Sequence, residues 1–165
     1  NLYFDLLNKY QIPLETILIR RKFLDNLNYK FDERFSSISD FDLLLRLSKI
    51  CLTVYTPEIT AKWRYHSDSD TNKYPLKFVF EKEIWIQEML KKNDLVIKEI
   101  KILKKLRSKN ISEKSRLLLI YNSRYEAFKN LFQRNNINLI WILTLLLIFF
   151  PFSKIFLKKR YNKGF

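Results

Sequence analysis

The stretch that decides the fold runs from residue 12 to residue 71: IPLETILIRRKFLDNLNYKFDERFSSISDFDLLLRLSKICLTVYTPEITAKWRYHSDSDT. Pro13 closes off a short helix over Leu2 to Asn8, because the residue before a proline is pushed out of the helical region. Thr16-Ile17-Leu18-Ile19-Arg20 is β-rich and bounded, and predicts a strand. Phe31-Asp32-Glu33-Arg34-Phe35 predicts a loop with two aromatic anchors. Ser39 stands three residues before Asp42, a spacing close to that of a capping box. Leu43, Leu44, Leu45 and Leu47, with Arg46 among them, predict a short and mostly buried helix. Leu52-Thr53-Val54-Tyr55 predicts a strand, Pro57 a turn, and the alternation from Ile59 to Tyr65 a further strand. Strands interleaved with a buried helix predict an α/β fold.

Outward from this stretch the period changes. HSDSDTNKY, residues 66–74, is polar and turn-rich. From Pro75 the apolar residues recur at three and four: Phe78, Val79, Trp85, Ile86, Met89 and Leu90 share one helix face. After a break near Asn93-Asp94, Leu95 to Leu106 continues with Ile100 and Leu103. Ser112 reads as the start of another helix, carrying Leu117, Ile120 or Tyr121, Tyr125, Phe128, and Leu131 or Phe132. INLIWILTLLLIFFPF, residues 137–152, has no charge at all. It is short of the ~20 apolar residues that cross a bilayer, unless Ser153 to Leu157 extend it with Lys154 snorkelling. Trp141 reads as an interface residue of a helix embedded in one leaflet. Lys158, Lys159, Arg160 and Lys163 follow as partners for anionic headgroups. The expected domains are thus 1–73, a mixed α/β part; 74–136, a helical region; and 137–165, a membrane-associating helix with a basic tail.

Composition excludes much chemistry. The single glycine, Gly164, leaves no dinucleotide fingerprint or P-loop within this chain. The single cysteine, Cys51, allows no intrachain disulfide and no Cys-based zinc cluster, and the single histidine, His66, no two-histidine metalloprotease motif. The net charge is +14. Residues 1–65 carry 10 basic and 8 acidic groups, 66–136 carry 16 and 9, and 137–165 carry 5 and none. Abundant Lys, Ile and Asn with only 2 Ala and 3 Val is the bias of an AT-rich coding sequence. The aromatics lie at helical spacing beside Leu and Ile, as core does, which points away from nucleic acid. Leu2, Phe4, Leu6 and Leu7 run straight in from residue 1, so the sequence reads as part of a longer natural chain.

Acidic residues cluster at Asp32, Glu33, Asp40 and Asp42. Asp40 lies at a helix start, where exposed N–H groups stabilise an anion. The motifs around it form an ordered set: Ile19-Arg20-Arg21, Phe31-Asp32-Glu33, Asp40-Phe41-Asp42-Leu43 with Arg46-Leu47, Pro57, and Arg64-Tyr65-His66. In this order the stretch resembles the second half of the catalytic domain of family 2 glycosyltransferases, over about residues 2–72. Ser39 departs from that pattern, which usually has Glu before the Asp.

The resemblance implies a partial GT-A fold of the nucleotide-diphospho-sugar transferase type. It implies inverting transfer of a sugar from a nucleotide-sugar donor to a hydroxyl of a glycan or lipid-linked acceptor, in cell-surface polysaccharide or glycolipid synthesis. Asp40 would then be the catalytic base. His66 and Arg64 would lie near the donor diphosphate or the metal, with His66 as the metal ligand and Mg²⁺ or Mn²⁺ as the ion. Asp42, Arg46 and Arg20 would give acceptor-side or structural support, Asp42 and Arg46 mainly by holding the helix against the sheet. The implied place is the cytoplasmic face of a bacterial membrane. The family's Asp-x-Asp metal motif and nucleotide-binding half would precede residue 1, so this chain alone is expected not to bind its donor and to be inactive. Asp68-Ser69-Asp70 spells such a motif, but no apolar strand leads into it. The alternative reading is a non-catalytic, basic membrane-surface interaction module.

Overall fold

The computed structural model describes residues 2–62, 64, 66, 68–69, 73–121, 123–133 and 139–161. Among these, all regular structure is helical: α1 Leu2–Asn8, a 3-10 turn at Leu14–Thr16, α2 Arg21–Asp25, α3 Ser39–Leu47, α4 Pro75–Leu90, α5 Ile97–Tyr121, α6 Arg124–Leu131, α7 Leu139–Phe149 and α8 Ser153–Tyr161. The chain divides into two compact units, Asn1–Lys73 and Tyr74–Phe165.

The α/β expectation, and the partial GT-A fold with it, is therefore corrected: no strand forms among the described residues. The first predicted strand begins instead with a tight turn. The Thr16 and Ile17 amides donate to the carbonyls of Pro13 and Leu14 at 3.0 and 3.2 Å, and the Thr16 hydroxyl to Pro13 O at 2.7 Å. Ile17 and Arg20 do have extended backbones. What is missing is the ladder. Leu18 is 99% exposed, Leu52 100% and Ile59 92%. β-branched residues stabilise a strand through cross-strand neighbours and a buried face, and these segments have neither. Trp63 and Tyr65, at the end of the last predicted strand, lie outside the described residues.

In the first unit α1 packs on α3. Tyr3, Leu6 and Leu7 meet a core of Phe35, Ile38, Phe41, Leu43, Leu44, Leu45 and Leu47. The predicted buried helix is present, with Ser39 as its first residue and Ile38 as its N-cap.

The second unit is a helical bundle around α5, which contacts α4, α6, α7 and α8. α5 is continuous over 25 residues, about 37 Å at 1.5 Å per residue. The start expected at Ser112 is thus corrected, since Ser112 is fully buried in mid-helix. Asn110 donates to Val79 O at 2.9 Å and to Glu83 Oε2 at 3.2 Å. Asn130 donates to Ile111 O at 2.9 Å and to Ser115 Oγ at 2.8 Å. Residues that resemble helix punctuation in sequence serve here as the polar contacts between helices. The true start lies later, where the Ser123 hydroxyl accepts from the Glu126 amide at 3.1 Å and caps α6. Consequently Ala127, Asn130 and Leu131 form its inner face, while Tyr125 and Phe132 are exposed. At the other end of α5, Glu99 Oε2 accepts from the Val96 amide at 2.9 Å, the reach-back half of a capping box.

Candidate functional site at the start of α3

α3 presents two aspartates in its first turn, and the fold uses them differently. Asp42 points inward and is buried. Its Oδ2 accepts from Arg46 Nε at 2.9 Å, one helical turn on. The same guanidinium donates to Tyr29 O and Lys30 O, both at 2.7 Å, and lies 4.1 Å over the Tyr29 ring. Arg46 therefore clamps the loop before Phe31 onto α3. Asp42 and Arg46 are structural in this sense, holding α3 to a loop and not to the sheet expected from the sequence.

Asp40 is half-buried and has two donors. Its Oδ1 accepts from the Phe41 amide at 2.8 Å and its Oδ2 from the Tyr10 hydroxyl at 2.9 Å. The Tyr10 ring stands edge-on to Phe41, 5.4 Å between centroids. Burial, then the hydrogen bond to Asp40 and the charges of Asp40 and Glu15, push the Tyr10 hydroxyl far above the usual tyrosine range. Tyr10 therefore stays a protonated donor, and each Asp40 oxygen keeps acceptor capacity beyond its one bond. Sequence reading missed Tyr10. It lies thirty residues from Asp40, and no spacing rule connects positions that far apart.

The other candidates are not gathered around Asp40. No hydrogen bond or ion pair joins it to Arg20, Arg64 or His66. Arg20 is exposed at the N-cap of α2, and Arg64 and His66 are exposed after the extended segment. His66 O accepts from the Ser69 amide at 3.3 Å, and Asp68 pairs with Lys73 at 3.2 Å. Asp70 lies outside the described residues. Among the described residues no group of three or more His, Cys, Asp or Glu converges.

Asp32 is engaged locally. Arg34 grips it with Nε at 2.9 Å and Nη2 at 2.6 Å, which holds the Asp32 carboxyl below the usual carboxylate range. A shallow open depression of about 300 Å³ lies beside it, lined by Tyr29, Phe31, Asp32 and Glu33. The Arg46 clamp thus shapes one wall of that depression through Tyr29.

The second notable feature is the C-terminal helix pair. No single described helix is long and apolar enough to cross a membrane. α7 and the Ser153–Lys159 part of α8 pass that test only together, bent by 116°. Trp141 faces the bundle, contrary to the interfacial place read for it: it is buried, and Nε1 donates to Leu131 O at 3.1 Å. Phe132 meets it edge-on at 5.4 Å. Thr144 and Ile148 continue the buried face, Leu145 and Leu147 pack partly against it, and Leu139, Leu143, Leu146 and Phe149 are exposed.

No family model matches this chain, and neither a curated protein nor a solved structure does.

Proposed function

We propose that this chain contributes the acceptor side of an inverting glycosyltransferase that works at a membrane surface, with Asp40 as general base. The observation that carries the reading is the state of the Asp40 carboxylate. It sits in the first turn of α3, each oxygen is oriented by one donor, and it is half-exposed. Such a group can accept the proton of an acceptor hydroxyl as that oxygen attacks the anomeric carbon of the donor sugar. A base in direct reach contributes typically ~10²–10⁴-fold. The order of the motifs from Arg20 to His66 supports the same reading. The α/β sheet that came with the resemblance is no part of this proposal.

The test is transfer of labelled sugar from nucleotide-sugars to extracted lipid and glycan acceptors by the natural protein. Asp40→Asn should lower transfer by about 10²-fold or more with donor binding unchanged. Transfer within a few-fold of the parent would remove Asp40 from the chemistry.

A second reading, a non-catalytic membrane-surface module, is favoured by one observation. The outer faces of α7 and α8 expose Leu143, Leu146, Phe149, Phe152, Ile155 and Phe156. Membrane binding that persists in a protein without transferase activity would select it.

A further inference from the structure

At the bend between α7 and α8 the Ser153 amide donates to Phe150 O at 3.2 Å, and one side chain from α6 reaches the same carbonyl. Arg124, the first residue of α6, donates Nη1 to Ile148 O at 2.8 Å and Nη2 to Phe150 O and Pro151 O at 3.3 and 2.9 Å. These carbonyls belong to the end of α7 and to the break, where an α-helix leaves its last acceptors without intrahelical donors. A cation at that end also faces the negative pole of the helix dipole. Straightened, residues 139–159 would reach about 31 Å, near the ~30 Å of a hydrocarbon core. Bent by 116°, the longer arm, α7, is about 16 Å long. Neither arm crosses alone.

The face turned away from the bundle is apolar and flanked only by cations. Leu146 is 61% exposed, Phe149 67% and Ile155 69%. Lys154, Lys158 and Lys159 are exposed on α8, and residues 137–165 contain no acidic group. Lys159 follows Ile155 by four and Phe156 by three, so it shares their face and can carry its ammonium to a headgroup layer. A contiguous apolar surface of this kind marks an interaction site, and a purely basic border complements an anionic one.

We propose that the outer face of α7 and α8 is a monotopic dock for an anionic lipid bilayer, and that Arg124 holds the bend that keeps both arms in one leaflet. This rests on the membrane-surface part of the reading above and is independent of the chemistry at Asp40.

The experiment uses the full chain with vesicles of phosphatidylcholine alone or mixed with phosphatidylglycerol. The protein should sediment with the mixed vesicles and bind neutral ones about tenfold or more weakly. Lys154→Glu with Lys158→Glu and Lys159→Glu should abolish that difference. Phe152→Ser with Phe156→Ser should weaken binding to both. Sidedness is read in a Cys51→Ser background with single cysteines replacing Leu139 or Lys159, exposed positions whose change leaves the packing intact. An impermeant maleimide outside the vesicles should label both. Arg124→Gln should leave the cysteine at position 159 partly protected, as the bend opens. Protection of that position in the parent protein means a spanning pair and overturns the inference while leaving membrane binding intact. Equal binding to both lipids after charge reversal and before it also overturns it. No sedimentation with either lipid, with concentration-dependent dimerisation, overturns both this inference and the membrane reading, and assigns the face to a second copy of the chain.

Discussion

The Tyr10 hydroxyl donates to Asp40 Oδ2 at 2.9 Å across thirty residues of chain. This bond ties the segment after α1 to the first turn of α3, and it orients one oxygen of the carboxylate on which the proposed chemistry depends. Tyr10→Phe removes only that donor. It should cost about 1.5–3 kcal/mol, the range for a hydrogen bond to a charged group, measured by urea denaturation. An unchanged midpoint would show that the bond contributes nothing in solution.

The same bond sets an alkaline limit. The Tyr10 hydroxyl is held far above the ordinary tyrosine range, near about 10, first by burial and then by Asp40. The unfolded chain therefore loses this proton at lower pH than the folded one. The contribution is fully present below the ordinary tyrosine range and is lost as pH rises through it. Stability should fall above about pH 10, and Tyr10→Phe should flatten that fall. Parallel pH profiles for the two proteins would disprove the linkage.

Arg46→Ala should be among the most damaging single changes in the first unit. It removes the guanidinium paired with the buried Asp42 carboxylate, frees the carbonyls of Tyr29 and Lys30 from it, and removes the cation over the Tyr29 ring. Removing one partner of a buried pair costs roughly 3–5 kcal/mol, and the partly exposed Arg46 places this case near about 3 kcal/mol. Arg46→Lys should recover little, since an ammonium cannot reproduce the fork. A thermal midpoint within a degree of the parent would refute the clamp.

Asn130→Ala tests the polar seam of the bundle. Asn130 Nδ2 bridges Ile111 O and Ser115 Oγ in a buried interface, and its loss should cost about 1–3 kcal/mol. Native-state hydrogen exchange should show faster opening at α6. Exchange rates unchanged from the parent would mean that apolar packing alone holds the two helices.

Ser153→Ala should go the other way. The Ser153 hydroxyl is fully buried at the start of α8 and has no hydrogen-bond partner among the described residues. Replacing an orphaned buried hydroxyl by hydrogen should stabilise by roughly 1 kcal/mol. A destabilised variant would reveal a partner for that hydroxyl in solution.

The sequence by itself determined the elements whose cause is local. The short helix before Pro13, the leucine-rich helix after Ser39 and the apolar face from Val79 to Met89 were all legible, because periodicity and proline act within a few residues.

The rest was decided by partners distant in the chain. Ile17 to Ile19 and Leu52 to Tyr55 have strand-forming side chains, yet a strand exists only when another chain segment takes its amides and carbonyls, and among the described residues none does. Ser112 looks like a helix start until the bundle closes over it. Asn110 likewise meets its partners, Val79 O and Glu83, only across the bundle. At the candidate site the place of Asp40 at a helix start was legible, whereas its Tyr10 partner was not. At the C-terminus the uncharged run was plain, but not the contact of its bend with Arg124, more than twenty residues upstream of the carbonyls it bonds. A sequence states what each residue can offer its neighbours in the chain. Which buried polar group meets which donor is settled only when the tertiary structure excludes water and leaves each such group a single partner.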